Sequence, residues 1–334
     1  MQLFYPSHDI ALANGLRHFN PPAMALHLQE DLAYLADIWN QPFLSGEASM
    51  PSPWGWDYDT RQHIHHQYGI RMDQLPTDQD LLDLRELSSR RTTVRICQEL
   101  ASALPLLAFN HPICIDSDEQ LFDYIREHDR SGQPYVLKTL WSSSGRGLIT
   151  SHVRTAEGHW TTRPSQTLMN QARNAIRKMG GIMAEAWISD KRQDFAMLFK
   201  ADGGNRVRFI GYSLFDNDDT LGGTTYRCGY LLSNEAIEQR LAVSVEMLHQ
   251  VSATLEDILT RLMEPFLGRS WPLGYMGIDM LTTGQAIHPC IELNLRCTMG
   301  TVCRLWHDQH QRDGLFRISP MHADGHFDAE FITD

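Results

Sequence analysis

Apolar residues recur at helical intervals in some stretches of the chain and alternate with polar ones in others. The run 2–5 reads as a short strand that stops at Pro6, and Ser7, His8 and Asp9 offer caps for a helix over 10–16. Leu28, Leu32, Leu35 and Ile38 keep a helical spacing within 26–39, and the Pro-, Gly- and Trp-rich run 41–56 reads as a loop. Ser88 and Ser89 precede a helical pattern that runs to Leu104 and ends at Pro105, which suggests a domain boundary near 85–90. A strand at 113–115, a capped helix at 118–128 and a strand at 135–138 follow in mixed order. Strands at 181–188, 194–200 and 206–215 predict an antiparallel sheet, with 216–226 as a polar, mobile loop. The stripe Leu241, Val245, Leu248, Val251, Leu255, Ile258, Leu262 and Phe266 predicts one long amphipathic helix over 235–266 whose apolar face is core.

At 334 residues and 42% hydrophobic, the chain is long enough for two or three lobes. Twenty-nine Lys+Arg against 41 Asp+Glu give a formal charge of -12, which argues against nucleic acid or an anionic membrane as partner and favours small solutes. No long apolar run or leader-like segment is seen, so a cytoplasmic protein is expected. The six cysteines form no C-x-x-C pair and read as reduced, mostly core thiols. His63, His65 and His66, like His307 and His310, lack cysteine or carboxylate partners at zinc spacing and read as partly solvated histidines.

Two places carry chemistry. The first is a hairpin expected from 277–281, a turn of three to five residues around Thr283 and Gly284, and 287–295. Side chains alternate along a strand, so Glu292 and Asn294 share one face, roughly 7 Å apart, while Ile291, Leu293 and Leu295 share the other. Asp279 lies between Ile278 and Met280 and joins the polar face if those neighbours enter the core. Two carboxylates and an amide oxygen suit magnesium, which keeps waters and takes phosphate oxygens; an ordinary solvated strand face shows the same pattern. The second is Lys138 at a strand end, followed by Ser142, Ser143, Ser144, Gly145 and Gly147. Small residues let backbone N–H groups approach an anion and the lysine adds charge, although the order is not that of a P-loop and such loops are often plain turns.

Together with Glu185, Ala186, Trp187 and Ile188 between them, these motifs resemble the ATP-grasp superfamily over about 88–302. Glutamate thirteen residues after an aspartate and asparagine two further on is closest to the D-alanine:D-alanine ligase pattern, matched by Asp279, Glu292 and Asn294. The resemblance implies a mixed α/β and α+β ATP-grasp fold, with an N-terminal α/β lobe (1–87), a central subdomain (88–184) and a C-terminal subdomain (185–334) that clamp the nucleotide. It implies ATP with two Mg2+ ions held by Asp279, Glu292 and Asn294, Mn2+ being an acceptable substitute. Lys138 would contact the α/β-phosphates, Ser143, Ser144 and Gly145 would fold over the triphosphate, and Glu185 with the backbone of Ala186, Trp187 and Ile188 would read the adenine. Asp194 would accept from the ribose hydroxyls. Where the family has a second nucleotide-binding lysine this chain has Arg90 or Arg91, of which Arg91 is assigned to ATP; charge is kept and geometry altered.

Most members phosphorylate a carboxylate and let an amine displace the phosphate. That chemistry needs cations around the phosphoryl group and donors facing the oxyanion. Arg296, two residues past Asn294, resembles the N-x-R arginine of many members, and Arg227 stands where related ligases have a cation near the γ-phosphate. The ligases also carry an arginine two residues before the aspartate, where this chain has Gly277. The expectation is a carboxylate–amine ligase acting on small molecules, with a homodimer as one option for assembly. A hydroxyl kinase of the same type and a non-catalytic nucleotide-binding module are the competing readings.

Overall fold

The computed structural model describes residues 3–142, 147–154, 160–201, 203–220, 223–284, 286–319 and 326–333. Helices precede any strand: α1 (His8–Asn14), α2 (Ala23–Asp31), α3 (Ala36–Trp39), α4 (Gln41–Leu44), α5 (Tyr58–Tyr68), α6 (Asp78–Leu87) and α7 (Arg90–Ala103). Then come β1 (Ile113–Ile115), α8 (Asp118–Ser131), β2 (Tyr135–Thr139), β3 (Leu148–Thr150), β4 (His152–Arg154), β5 (Trp160–Thr162), α9 (Ser165–Met179) and β6 (Ile182–Ala186). The remainder is β7 (Lys191–Ala201), β8 (Val207–Thr220), β9 (Gly223–Leu231), α10 (Asn234–Leu241), α11 (Val245–Met263), β10 (Tyr275–Thr283), β11 (Ala286–Asn294), α12 (Met299–His310), β12 (Gly314–Ile318) and β13 (Ala329–Thr333).

The fold is mixed α/β, as expected, and its strands form two principal sheets. A four-stranded sheet runs β1-β6-β2-β3 and a seven-stranded one β11-β10-β7-β8-β9-β12-β13, both antiparallel throughout, with β4 and β5 as a separate pair. Two apolar cores match the two sheets. The smaller lies between α8, α9 and the four-stranded sheet, around Leu121, Ile125, Leu137, Leu168, Ala172 and Ile182. The larger unites the N-terminal helices, α7, α11 and the seven-stranded sheet.

Several expectations change. Residues 3–5 form no strand; the Leu3 carbonyl accepts from Trp54 N at 2.8 Å. Residues 3–87 are thus helical rather than α/β among the described residues. The pattern 26–39 is broken by a 3-10 turn at Ala33–Leu35. The long helix over 235–266 is two, because Ala242 takes a left-handed conformation (φ 53°) and Ser244 caps α11 by accepting from Met247 N. Of the expected loop 216–226, the described residues 216–220 and 223–226 are strand, with Asp216 opposite Cys228 and Thr220 opposite Gly223. Ile96, Cys97 and Leu100 of α7 pack in the larger core, and Thr93 Oγ1 accepts from Leu293 N at 3.4 Å. The thiols are free as expected, Cys114 alone among them being half-buried and the rest buried.

Candidate functional site

The hairpin forms in the register the alternation predicts: Asp279 faces Glu292 and Gly277 faces Asn294. Ile278, Met280 and Leu293 are buried in the larger core, which turns Asp279, Glu292 and Asn294 to the other side. Directly opposed residues place their Cβ atoms about 5 Å apart. Asn294 Nδ2 donates to Asp279 Oδ2 at 3.1 Å. The turn is tighter than expected, since Thr283 pairs with Ala286. Beyond the carboxylates β10 advances two residues (279 to 281) while β11 advances four (292 to 288). Pro289, which has no N–H to lose, sits in that bulge on the sheet's edge strand.

Burial, reinforced by the Glu292 carboxylate opposite, pushes the Asp279 carboxyl from 3.8 up to about 7. Two acids held against each other at a half-buried edge, with an amide oxygen beside them, fit a hard divalent cation whose remaining positions go to phosphate and water. Among the described residues no group of three His, Cys, Asp or Glu side chains is placed to hold a metal ion. The raised value has a consequence for stability. Since the folded pKa exceeds the unfolded one, the folded state holds the proton longer, and this contribution is full below about pH 4 and lost as pH rises through 7. The nucleotide-free protein should lose a few degrees of Tm between pH 5 and 8, and Asp279→Asn should flatten that decline. An equal decline in the variant would assign it to another group.

A guanidinium partly answers the acid pair. Arg90 opens α7, and its Nη2 contacts Glu292 Oε1 at 2.8 Å while Nη1 donates to the Thr139 carbonyl (2.6 Å) and Ser142 Oγ (2.8 Å). Arg91 leaves in another direction, to Asp116 at 2.8 Å and the Gly180 carbonyl at 2.8 Å. The structure therefore brings Arg90 to the carboxylates, while Arg91, the one assigned to ATP, bonds Asp116 and the Gly180 carbonyl. The helix start is legible in the sequence, but nothing in two adjacent arginines says which one turns inward.

Lys138, on β2, is ion-paired with Glu185 on β6, and both are buried. Glu185 Oε2 has no hydrogen-bond partner. Past it, the Ala186 carbonyl accepts from Asn110 Nδ2 at 3.4 Å, and Trp187 N donates to the Pro134 carbonyl at 2.8 Å. The Trp187 N–H is therefore engaged by the chain itself rather than free to read a base; Ile188 is half-buried beside it. Asp194 faces Leu281 across the β7–β10 pair, and Lys191 Nζ (3.0 Å) and Asn217 Nδ2 (3.1 Å) donate to its carboxylate. Ser143, Ser144 and Gly145 lie outside the described residues.

Arg296 is locked by Asp9, with Nε to Oδ1 at 2.7 Å and Nη2 to Oδ2 at 2.6 Å. A bidentate pair of this kind fixes the guanidinium plane. Burial would raise Asp9, but Arg296 overrides it and holds the carboxyl below its usual range. Asp9, on α1, and His8 beside it line a concavity with Ser88, Trp141, Glu292, Asn294 and Arg296. That cleft joins the N-terminal helices to the acidic hairpin. Arg227 stands apart: it is half-exposed, 3.8 Å from Asp216, on β9, three strands from β10. The sequence does not single out Asp9 as the partner of Arg296, because 287 residues separate them.

No protein-family model matches the chain, and no curated protein does. Solved structures similar to it include N5-carboxyaminoimidazole ribonucleotide synthetase from Thermus thermophilus (14% identity, 80% of this chain, 71% of that one, TM-score 0.47). A biotin carboxylase from Campylobacter jejuni is also similar (11% identity, 75% of this chain, 49% of that one, TM-score 0.45). So is the purK N5-carboxyaminoimidazole ribonucleotide synthetase (17% identity, 72% of this chain, 52% of that one, TM-score 0.41). The chain spans about half the length of the latter two.

Proposed function

We propose that the chain is an ATP- and Mg2+-dependent ligase that activates a carboxylate as an acylphosphate and joins it to an amine. The observation that supports this best is that Asp279 and Glu292 face each other, with Asn294 hydrogen-bonded to Asp279 and Arg90 contacting Glu292, drawn from a hairpin and a helix some 200 residues apart. In this reading Asp279, Glu292 and Asn294 hold the metal, which when bound neutralises the triphosphate and draws charge from the phosphoryl group in transfer. Arg90 leaves Glu292 for the terminal phosphate, keeping its Thr139 and Ser142 bonds as anchors. Lys138 meets the inner phosphates, Glu185 and the Ala186 carbonyl meet the base, and Asp194 meets the ribose. Arg296, held planar by Asp9, faces the oxyanion that forms when the carboxylate is activated.

The substrate carboxylate oxygen attacks the γ-phosphorus and the bond to the β-bridging oxygen breaks, leaving ADP. The amine then adds to the acyl carbon, inorganic phosphate departs, and the ammonium proton is released. Among the described residues no helix is long and apolar enough to cross a membrane. Together with free, mostly buried cysteines this favours work on dissolved metabolites in the cytoplasm.

Substrate-dependent ADP release across a panel of carboxylates and amines tests the reading, with hydroxylamine as the trap. A ligase given its acid and ATP yields a hydroxamate. A stable phosphate ester would show a kinase instead, and a panel without turnover, combined with no protection of the fold by MgATP, would defeat the nucleotide assignment.

A further inference from the structure

His8, the first residue of α1, is 2% exposed, and neither of its ring nitrogens has a hydrogen-bond partner. Burying an imidazole with both nitrogens unmet is costly, so stability does not account for it. The ring lines the concavity that Asp9, Glu292, Asn294 and Arg296 also line. Asp9 Oδ1 stands 3.9 Å from Nδ1, beyond hydrogen-bond reach.

A neighbour without a side chain makes room for the ring. A Cβ on Gly55 would fall 2.4 Å from Nε2 and 2.5 Å from Cδ2, so the imidazole occupies the volume where any other residue would place its first carbon. Gly55 follows Trp54, whose N–H donates to the Leu3 carbonyl (2.8 Å) and whose carbonyl accepts from Cys297 N (2.7 Å). The loop that receives the ring is thus bonded to the chain three residues past Asn294. Two residues beyond Gly55, Asp57 is 6% exposed and its Oδ2 has no partner.

Burial pushes the imidazole below its usual pKa against the pull of Asp57 and Asp9, with Arg296 adding to the fall, so the ring is neutral at about pH 7. A neutral ring carries one N–H and one lone pair, and the Asp9 carboxylate favours the N–H on Nδ1. The lone pair is then on Nε2. A proton arriving there makes a cation that Asp57 and Asp9 stabilise.

We propose that His8 accepts the proton that the substrate's ammonium group loses before it attacks the acylphosphate. This rests on the ligase reading. The ammonium gives one proton to Nε2, and its freed lone pair forms the bond to the acyl carbon. A second proton leaves that nitrogen with the departing phosphate, and His8 passes its own to water.

Hydroxylamine is a free base at neutral pH, whereas an aliphatic amine, like a lysine side chain, is an ammonium ion. Hydroxylamine therefore needs no help from His8. With the acid and amine that support ADP release, His8→Gln should lower amide formation about 100-fold and hydroxamate formation by no more than about threefold. Gly55→Ala, which displaces the ring without altering its chemistry, should show the same selective loss at about tenfold. Equal losses of amide and hydroxamate in either variant, or unchanged amide formation in either, would overturn the proposal. So would a wild type that forms hydroxamate but no amide with any amine. A wild type that forms hydroxamate with no acid would instead sink the ligase reading on which the proposal stands.

Discussion

Replacing Glu292 by glutamine is expected to lower turnover about a thousandfold while leaving the fold within about 1 kcal/mol of the wild type. The two halves of that result have separate physical origins. Glu292 Oε1 accepts from Arg90, and a glutamine oxygen in the same place can still do so, while Arg90 keeps its bonds to Thr139 and Ser142. The side chain is also 30% exposed, so the neutral amide leaves no deeply buried charge stranded. In the proposed reading the exchange would be severe for metal binding, because one of the residues that would hold the metal loses its negative charge. The substitution also removes the repulsion that helps raise Asp279, so the carboxyl of Asp279 should titrate lower in the variant. Steady-state ADP release, thermal unfolding without nucleotide and MgATP calorimetry check the three statements together. A variant retaining more than a tenth of the activity would remove Glu292 from the metal site.

The acidic hairpin is legible in the sequence because its information is local. Strand alternation fixes which side chains share a face, and the apolar neighbours of Asp279 and Glu292 decide which face is buried, so the pairing of the two acids follows from some sixteen consecutive residues. The Lys138 strand and the Glu185 strand are legible for the same reason, and their hydrophobic runs become neighbours in the smaller sheet. What cannot be read is whatever depends on long-range closure. The Arg296–Asp9 pair joins the two ends of the chain, and its existence depends on α1 packing over the hairpin, which no short pattern encodes. Arg90 and Arg91 differ by one residue, or about 100° around a helix, and only the packing of α7 on β11 selects the inward one. Helical periodicity also misleads where a cap intervenes: the stripe from Leu241 to Phe266 keeps its spacing across Ala242 and Ser244, yet Ser244 can bond the start of a new helix.

Lys138→Ala should cost both nucleotide binding and stability, and the second effect follows from the geometry rather than from the motif. The ammonium is the partner of a Glu185 carboxylate that is 4% exposed, so its removal leaves an uncompensated buried charge on the face of the four-stranded sheet opposite the smaller core. Breaking a buried pair by deleting one member costs about 3–5 kcal/mol, enough to lower Tm by roughly 10 °C in a chain of this size. Loss of MgATP affinity in that variant would then be ambiguous, because a loosened β2–β6 pair would also release ligand. The double variant Lys138→Ala/Glu185→Gln, read against Glu185→Gln alone because Glu185 also meets the base in the proposed reading, separates the causes. Neutralising Glu185 removes the stranded charge, so stability should return to within about 1–2 kcal/mol of the wild type. The phosphates gain nothing from that repair, and MgATP affinity should remain at least about thirtyfold weaker than wild type. Thermal unfolding and calorimetry on the two variants give both numbers. Recovery of stability with wild-type MgATP affinity would show that Lys138 serves Glu185 alone, and the inner-phosphate role would pass to Arg90.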